Sequence, residues 1–301
     1  NRASSICSAP RMTKGNQPSD GGNLILTATE KDELLVNEPI AAPYIHPYLG
    51  SDEFLNGNPR YCLWLKDAGP VDLKKCPSVL QRLQKVREFR QKSTAKPTRE
   101  KAETPQLFFF ISQPDSNFLA IPEVSSERRK YLPIGYMEPD TIVSNKLWIL
   151  PGATLYHFGI LTSAMHMAWM RQVTGRLEMR YQYSGSIVYN TFPWPEKIAD
   201  ERKAEIERLA QAVLDERAKH LEKGATLADL YDPVTMPPGL AKAHAALDRA
   251  VDRAYRSAPF ETERARVEHL FALYQSLTTL FPEKPKKKPR KKPSPGQESP
   301  P

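Results

Sequence analysis

The chain has 301 residues, 40% of them hydrophobic and 26% charged, and its formal net charge at pH 7 is +8. This length and composition are sufficient for a sizeable core in about two domains. They exclude a membrane protein, because no apolar run reaches the roughly 18 residues of a transmembrane helix and the N-terminus lacks the apolar segment of a signal peptide. We therefore expect a cytoplasmic protein without a membrane partner. Because residue 1 is Asn and not Met, we also expect a fragment of a longer chain.

The sequence disfavours both metal sites and autonomous catalysis. The three cysteines, Cys7, Cys62 and Cys76, are too few and too widely spaced for a disulfide framework or a zinc site. The six histidines form no HxH or HxxxH pair, and His157 and His166 lie in apolar surroundings that suit core or capping roles. No GxGxxG, GxxxxGK(S/T), GxSxG or HExxH motif is present. We therefore predict no catalytic residues, no bound cofactor and no metal within these residues.

The chain begins with a polar, Gly-rich segment over residues 1–40. This segment ends in TATEKDELL, where Thr27 or Thr29 would cap a short helix. An apolar strand is then predicted over 61–65, with Cys62 as a small core residue.

A helix is predicted to begin at Pro77 and Ser78, because Ser78 and Gln81 match a capping box. The spacing of its apolar residues predicts an inner face of Val79, Leu80, Leu83 and Val86. From 82 to 101 there are eight Lys or Arg residues against two Glu residues, which is more positive charge than a balanced solvated face requires.

The middle of the chain consists of short segments bounded by Pro, Asn, Asp or Ser, as strands commonly are. We predict five strands, within QLFFFIS, FLAIPEV, KYLPIGYM, DTIVS and KLWILP. A helix over about 163–173 follows, and Gly175 suits the C′ position after it.

The next stretch, GRLEMRYQYS at 175–184, alternates apolar and long polar side chains. Such alternation predicts one half-buried strand. The set facing the core would be Leu177, Met179, Tyr181 and Tyr183, and the set on the opposite face would be Arg176, Glu178, Arg180 and Gln182. After a turn at Ser184 and Gly185, the chain would return as SIVYNTF and complete a hairpin.

Helical periodicity dominates after Pro195, and the predicted fold class is therefore α+β. We assign residues 1–40 to a leading segment that continues from a missing catalytic half, 41–195 to a mixed α/β domain, and 196–282 to a helical domain. Residues 283–301 form a Lys- and Pro-rich tail with seven basic and two acidic residues, which should be disordered. The tail would either attract phosphates non-specifically or increase solubility.

Two interpretations of the polar set in GRLEMRYQYS remain open. In an interaction scaffold it would simply be hydrated. In a DNA-binding protein, Arg, Glu and Gln are the long side chains that bond to base edges in the major groove. A carboxylate facing phosphates is unfavourable unless it accepts a bond from a base, so Glu178 beside Arg180 suits one C·G pair.

The residue runs that carry a family resemblance are KGNQPSDGGNLIL, PYIHPYLGSDEFLNG, RYCLWL, VSSERRKYLP, FGILTSAMHMAWMRQVTGRLEMRYQYS, IVYNTFPWP, TLADLYDP, MPPGLAKAHAALDRAVD and RVEHLFALY. Over about 14–281 the chain closely resembles the C-terminal part of the MmeI-like type IIG (IIL) restriction-modification enzymes. These enzymes join an endonuclease, an adenine-N6 methyltransferase that uses S-adenosylmethionine, and a target recognition domain.

The resemblance implies specific roles. Base readout would fall on Glu178, Arg180 and Gln182, and on Lys146 as a further specificity position upstream. Independently of the resemblance, we expect DNA backbone or supporting contacts from Arg128, Arg129 and Lys130, which are candidates by charge, and from Arg176, Ser125 and Ser126. From charge alone, a solvated basic turn is an equal alternative for the SSERRKY segment.

The chain departs from the family in lacking the NPP(Y/F) motif, which holds a flipped adenine, as well as the glycine-rich cofactor loop and the nuclease residues. We therefore expect a recognition half that is not catalytic alone. S-adenosylmethionine, and Mg²⁺ if a nuclease is present, would belong to the full-length enzyme. The expected partners are double-stranded DNA and an upstream methyltransferase in the same or another chain. The alternative is a stand-alone or in-trans DNA-binding specificity subunit.

Overall fold

The computed structural model describes residues 2–279, and the predicted tail lies outside that range. Its strands are β1 (Thr13–Lys14), β2 (Ile25–Thr27), β3 (Ile45–Leu49), β4 (Arg60–Leu63), β5 (Phe118–Pro122), β6 (Val124–Ser125), β7 (Gly135–Met137), β8 (Ile142–Val143), β9 (Leu147–Pro151), β10 (Gly175–Leu177) and β11 (Arg180–Gln182). Its helices are α1 (Ala28–Asn37), α2 (Ser51–Asn56), α3 (Pro70–Lys74), α4 (Pro77–Gln91), α5 (Lys96–Glu100), α6 (Leu155–Leu161), α7 (Ala164–Val173), α8 (Asp200–Leu221), α9 (Leu227–Leu230), α10 (Pro238–Tyr255) and α11 (Glu263–Thr278). Mixed sheets followed by helices confirm the predicted α+β class.

The strands form three small sheets. The strand order is β1-β9-β5-β7 in one, β2-β4-β3-β8 in the second and β10-β11-β6 in the third. All pairs are antiparallel except β3 and β8. Strands β1 and β2 come from the leading segment and pair with β9 and β4, so hydrogen bonds integrate that segment into two of the sheets.

The larger of two hydrophobic cores runs without a break from strands β5 and β9 into the C-terminal helices. Helix α6 packs against α8, and α7 packs against α11 and α10. Helix α6 approaches α8 closely at Gly159, where an added Cβ would lie 2.8 Å from Ile206 Cγ2. The smaller core lies between the β2-β4-β3 strands and α4.

Several local predictions are confirmed. Thr27 caps α1, and its capping box with Glu30 is complete, with Glu30 N donating to Thr27 Oγ1 at 3.2 Å and Thr27 N donating to Glu30 Oε2 at 2.9 Å. His157 accepts from Thr154 N at the start of α6, while His166 and Cys62 are buried. Over residues 2–279, no helix combines the length and apolarity that a membrane crossing requires.

The predicted start of α4 is wrong in its capping. The N-cap residue is Cys76, which makes no side-chain cap bond. Ser78 lies inside the helix, where its N–H donates to Glu38 Oε1 at 2.6 Å. The predicted cap was the side-chain oxygen of Ser78. The first turn of α4 instead donates a backbone N–H to a carboxylate oxygen of Glu38, at the end of α1. Leu80 is 41% exposed, whereas the other three predicted inner residues are buried.

The basic stretch over 82–101 is partly internal. Arg90 is fully buried and donates to five backbone carbonyls, those of Pro18, Ser19, Lys101, Thr104 and Leu107, at 2.7–3.0 Å. Arg82 pairs with Glu30 at 2.7 Å. These two arginines join loops and helices, so the stretch is less positive towards solvent than its composition indicates.

QLFFFIS and SIVYNTF do not form the predicted strands. In QLFFFIS, an isolated bridge joins Phe110 to Gln17. SIVYNTF instead lies largely in a π-helical turn over Gly185–Tyr189, in which Ile187 N donates to Ser184 Oγ at 3.3 Å. Both edges of β11 are already paired, with β10 and β6, so no edge is left for a returning strand. Gly175 also begins β10 and has no left-handed φ.

Candidate nucleic-acid interface

The stretch predicted as a single strand is a hairpin. The register of β10 and β11 pairs Arg176 with Tyr181 and Leu177 with Arg180, which leaves Glu178 and Met179 as a two-residue turn. Glu178 has φ +56°, in the left-handed region. Two-residue hairpin turns need positive φ because their twist must match that of the strands, and glycine usually supplies it. Glu178 occupies that position here.

The turn resets the alternation, so the predicted division into two faces is wrong for Leu177 and Met179. Leu177 is 44% exposed and Met179 is 71% exposed, whereas Tyr181 and Tyr183 are buried as predicted. Residues directly opposite each other in a hairpin share a face. Leu177 therefore lies with Arg180 on the exposed face, and Arg176 lies with Tyr181.

Glu178 and Arg180 are brought together at the apex of the hairpin. Arg180 Nη2 lies 2.8 Å from Glu178 Oε2, and both side chains are exposed. An exposed ion pair contributes only about 0.2–1 kcal/mol. The two groups are therefore close to each other and available to other partners at little energetic cost.

Arg176 supports the turn. Its guanidinium carbon lies 4.1 Å from the centre of the Tyr181 ring, and Nη1 donates to the carbonyl of Met179 at 3.0 Å. The side chain thus spans the hairpin from β10 to the turn.

Backbone hydrogen bonds connect the hairpin to Lys146, 36 positions before Gln182. Gln182 pairs with Val124 of β6. Glu123, the residue before Val124, accepts from Tyr183 N at 2.7 Å through its carbonyl and donates from its own N–H to the Lys146 carbonyl at 3.1 Å. Lys146 is exposed. Two candidates that are distant in sequence therefore lie along one hydrogen-bonded run of backbone.

Ser125 and Ser126 lie between the hairpin and the basic turn. Ser125 is buried in β6 opposite Tyr181, so its side chain is not accessible from solvent. Ser126 closes a tight turn, because its carbonyl accepts from Arg129 N at 3.2 Å and its Oγ from Arg128 N at 3.3 Å.

The basic turn, residues 128–130, presents two of its three cations to solvent. Arg128 and Lys130 are exposed. Arg129 is half-buried, and burial lowers the pKa of its guanidinium against the opposing charge of Asp232.

Arg171, which the sequence analysis did not single out, connects the basic turn to the hairpin. It lies in the last turn of α7, just before β10, and its Nη2 is 3.4 Å and 3.3 Å from the carbonyls of Arg129 and Lys130. Its Nη1 pairs with Glu263 of α11 at 2.5 Å. The sequence indicated only that Arg171 is a basic residue near a helix C-terminus. Such residues are common because they interact favourably with the helix dipole, so the position does not indicate this contact.

The described part of the chain, residues 2–279, contains no group of three or more His, Cys, Asp or Glu side chains placed to hold a metal ion. His166 and His244 are buried among aromatic residues, and burial lowers the pKa of each from its ordinary value of 6.5 to about 3. Both imidazoles are therefore neutral at pH 7. Among the charged candidate residues, Lys146, Glu178, Arg176, Arg180, Arg128 and Lys130 are exposed.

A mixed α/β scaffold that presents a preorganised polar hairpin beside a basic turn has the features of a recognition module. Comparison with known families agrees with this description. Residues 1–196 match the family model described as MmeI, target recognition domain, and residues 198–281 match the one described as MmeI, C-terminal domain. The chain belongs to the MmeI target recognition domain family.

Two relatives are similar over almost the whole chain. DNA methyltransferase A of Bacillus subtilis (strain 168) is 43% identical over 277 residues, which are 92% of this chain and 31% of that protein. The solved structure of the type IIL restriction-modification enzyme MmeI in complex with DNA is 47% identical, with a TM-score of 0.88, over 92% of this chain and 37% of that one. The chain therefore spans about a third of the length of these relatives.

Proposed function

We propose that this chain recognises a specific sequence of double-stranded DNA through the major groove and directs an adenine-N6 methyltransferase to that site. The observation that carries the proposal is the exposed Glu178–Arg180 pair at the apex of the hairpin. Support comes from the relatives, one of which is a DNA methyltransferase and another a restriction-modification enzyme in complex with DNA. Because the chain spans about a third of their length, we assign the methyltransferase, and any nuclease, to the remainder of the full-length protein.

The pair suits one C·G base pair. In the major groove, cytosine offers the N4 amino group as a donor, and guanine offers O6 and N7 as acceptors. Glu178 would accept from cytosine N4, while the Arg180 guanidinium would donate to O6 and N7 of the paired guanine. The two side chains are already 2.8 Å apart, so adjacent bases of one pair are within reach of both.

The backbone at Glu178 supports the same role. A left-handed φ costs an ordinary residue roughly 1–2 kcal/mol, and glycine avoids this cost. Strained positions of this kind cluster at functional sites. A carboxylate at this position therefore indicates that the side chain has a task that glycine could not perform.

The other candidates complete the proposed interface. Gln182 is exposed two positions after Arg180, on the same face of β11, and its amide suits N6 and N7 of an adenine in a neighbouring pair. Lys146 would read a further position. Arg128 and Lys130 would contact phosphates, which position the protein without selecting a sequence. Arg129 and Arg176, with Ser125 and Ser126, would hold these elements in place.

The cofactors belong to the same proposal. The sequence has neither the NPP(Y/F) motif nor a glycine-rich cofactor loop. The described residues also offer no cluster of metal ligands. S-adenosylmethionine, and Mg²⁺ if a nuclease is present, would therefore be held by other parts of the full-length protein.

Charge reversal tests the readout. The double variant Glu178→Lys with Arg180→Asp, in the full-length protein, should change the preferred base at one position from C to G and leave the rest of the recognised sequence unchanged. Each single substitution should cost about 1–3 kcal/mol of discrimination at that position. The measurement is selection of methylated or bound sites from a random DNA library. If the double variant selects the wild-type sequence, the hairpin does not read bases.

A further inference from the structure

The exposed methionine at the apex of the hairpin has no task in the function proposed above. Single apolar side chains are common on protein surfaces, so 71% exposure of Met179 does not by itself mark a site. Its position is more informative. Met179 lies between Glu178 and Arg180, whose side chains are joined to each other, in the two-residue turn of the hairpin.

The backbone of Met179 is held although its side chain is exposed. Arg176 Nη1 donates to the Met179 carbonyl, and the same guanidinium is stacked on the buried Tyr181. The register on either side of the turn is set by β10 and β11, with β6 paired to the far edge of β11. A long unbranched thioether is therefore presented from a preorganised position, and it can adapt its shape to an apolar partner.

We propose that Met179 is a specificity-determining residue that packs against the C5 methyl group of a thymine. This inference rests on the proposed function, because it takes the DNA major groove as the partner. The thymine methyl is the apolar group that bases present in that groove. Consecutive Cα atoms are about 3.8 Å apart, close to the 3.4 Å that separates successive base pairs. The thymine should therefore lie in a base pair adjacent to the C·G pair assigned to Glu178 and Arg180.

Removal of the methyl group from the DNA provides a direct test. The wild-type full-length protein first selects its sequence from a random library, and the base governed by Glu178 is located with Glu178→Gln. Each thymine of the selected sequence is then replaced singly by deoxyuridine, and affinities are measured by fluorescence anisotropy. One replacement, within one base pair of the position governed by Glu178, should weaken wild-type binding about threefold to tenfold, as expected for the loss of one buried methyl contact.

The Met179→Ala variant should bind the thymine sequence with the same three- to tenfold loss, and replacement of that thymine by deoxyuridine should then have no further effect. Met179→Leu should retain sensitivity to the methyl group. Val234→Ala is the matched control, since Val234 is a 79% exposed apolar residue between α9 and α10, and it should behave as wild type.

Three results would overturn the inference. The selected sequence could contain no thymine beside the pair governed by Glu178. Wild type could bind every deoxyuridine-substituted DNA with unchanged affinity. A loss of affinity in Met179→Ala would then indicate that Met179 inserts between bases and does not contact a methyl group. Met179→Ala could also remain as sensitive to deoxyuridine as wild type. Failure of the proposed function looks different: either the wild-type protein selects no sequence, or Glu178→Gln leaves the selected sequence unchanged, and in both cases the two proposals fall together.

Discussion

At Glu178, the backbone and the side chain have opposing requirements. The left-handed φ of +56° favours glycine, while the proposed contact with cytosine requires a carboxylate. The ion pair with Arg180 offsets little of the conformational cost, because both groups are exposed. Stability and recognition should therefore respond in opposite directions to substitution at this residue.

Glu178→Gly should leave the protein as stable as wild type or more stable by up to about 1 kcal/mol, because the strain at φ is relieved. The same variant should lose about 1–3 kcal/mol of discrimination at one base. Urea unfolding and library selection measure the two effects. Glu178→Asn is the control, since Asn also tolerates left-handed φ. A destabilised glycine variant would contradict the strain argument.

The two buried histidines predict how stability depends on pH. His166 and His244 have folded-state pKa values of about 3, lowered from 6.5 by burial, with the charges of Arg217 and Lys130 adding to the effect at His244. Between those values the unfolded chain binds protons that the folded chain does not. Stability should therefore fall as pH falls from 7, by about 2 kcal/mol per histidine at pH 5.

Asp248 acts in the opposite direction. Burial raises the pKa of Asp248, so its protonation in the folded state offsets part of the loss as pH falls further. Urea unfolding of wild type and His166→Gln at pH 7 and pH 5 provides the measurement. The variant should lose about 2 kcal/mol less than wild type between the two pH values. An equal loss would show that His166 does not contribute.

Helix α4 carries a charged side chain, Arg90, that is buried and bonded to backbone carbonyls. Arg90 reaches from the helix to carbonyls on both sides, at Pro18 and Ser19 and at three positions of the 101–107 loop. Buried carbonyls that lose their donor are left unsatisfied, at about 1–3 kcal/mol each where water cannot replace it. Arg90 therefore holds two loops against the smaller core.

Arg90→Met should destabilise the protein by about 3 kcal/mol or more, while Lys85→Met on the exposed side of α4 should change stability by no more than about 0.5 kcal/mol. Thermal unfolding followed by circular dichroism distinguishes the two. Similar melting temperatures for the two variants would mean that the carbonyls around Arg90 find other donors.

Across the whole molecule, the recognition part and the C-terminal helices share one core. Tyr131 OH donates to Asp248 Oδ2 of α10 at 2.6 Å, and Ala164 N, at the start of α7, donates to Asp248 Oδ1 at 2.7 Å. One carboxylate thus binds α10 to the residue after the basic turn and to the helix that leads into the hairpin. The helices therefore support the geometry of the proposed interface.

Residues 1–197, without the helices, should not fold stably, because α6 and α7 would expose the apolar faces that α8, α10 and α11 cover. Near-ultraviolet circular dichroism and sedimentation should show lost tertiary packing or aggregation. Deletion of residues 283–301 is the control, and should leave stability unchanged while weakening binding to all DNA sequences alike and flattening its salt dependence. A well-folded 1–197 fragment would contradict the shared-core argument.

The sequence by itself determined the α+β class, a helix cap at Thr27 or Thr29, the helical C-terminal part and the family, because these depend on neighbouring residues or on long ordered runs. Only the tertiary structure decided that the chain reverses at Glu178, that Arg90 is internal and that Ser125 is buried. Each of these depends on which strand edges and carbonyls distant segments present, and periodicity along the chain does not contain that information. An alternating pattern does not distinguish a continuous strand from a hairpin. Here the reversal is decided by strand pairing, because β10 and β6 pair with the two edges of β11.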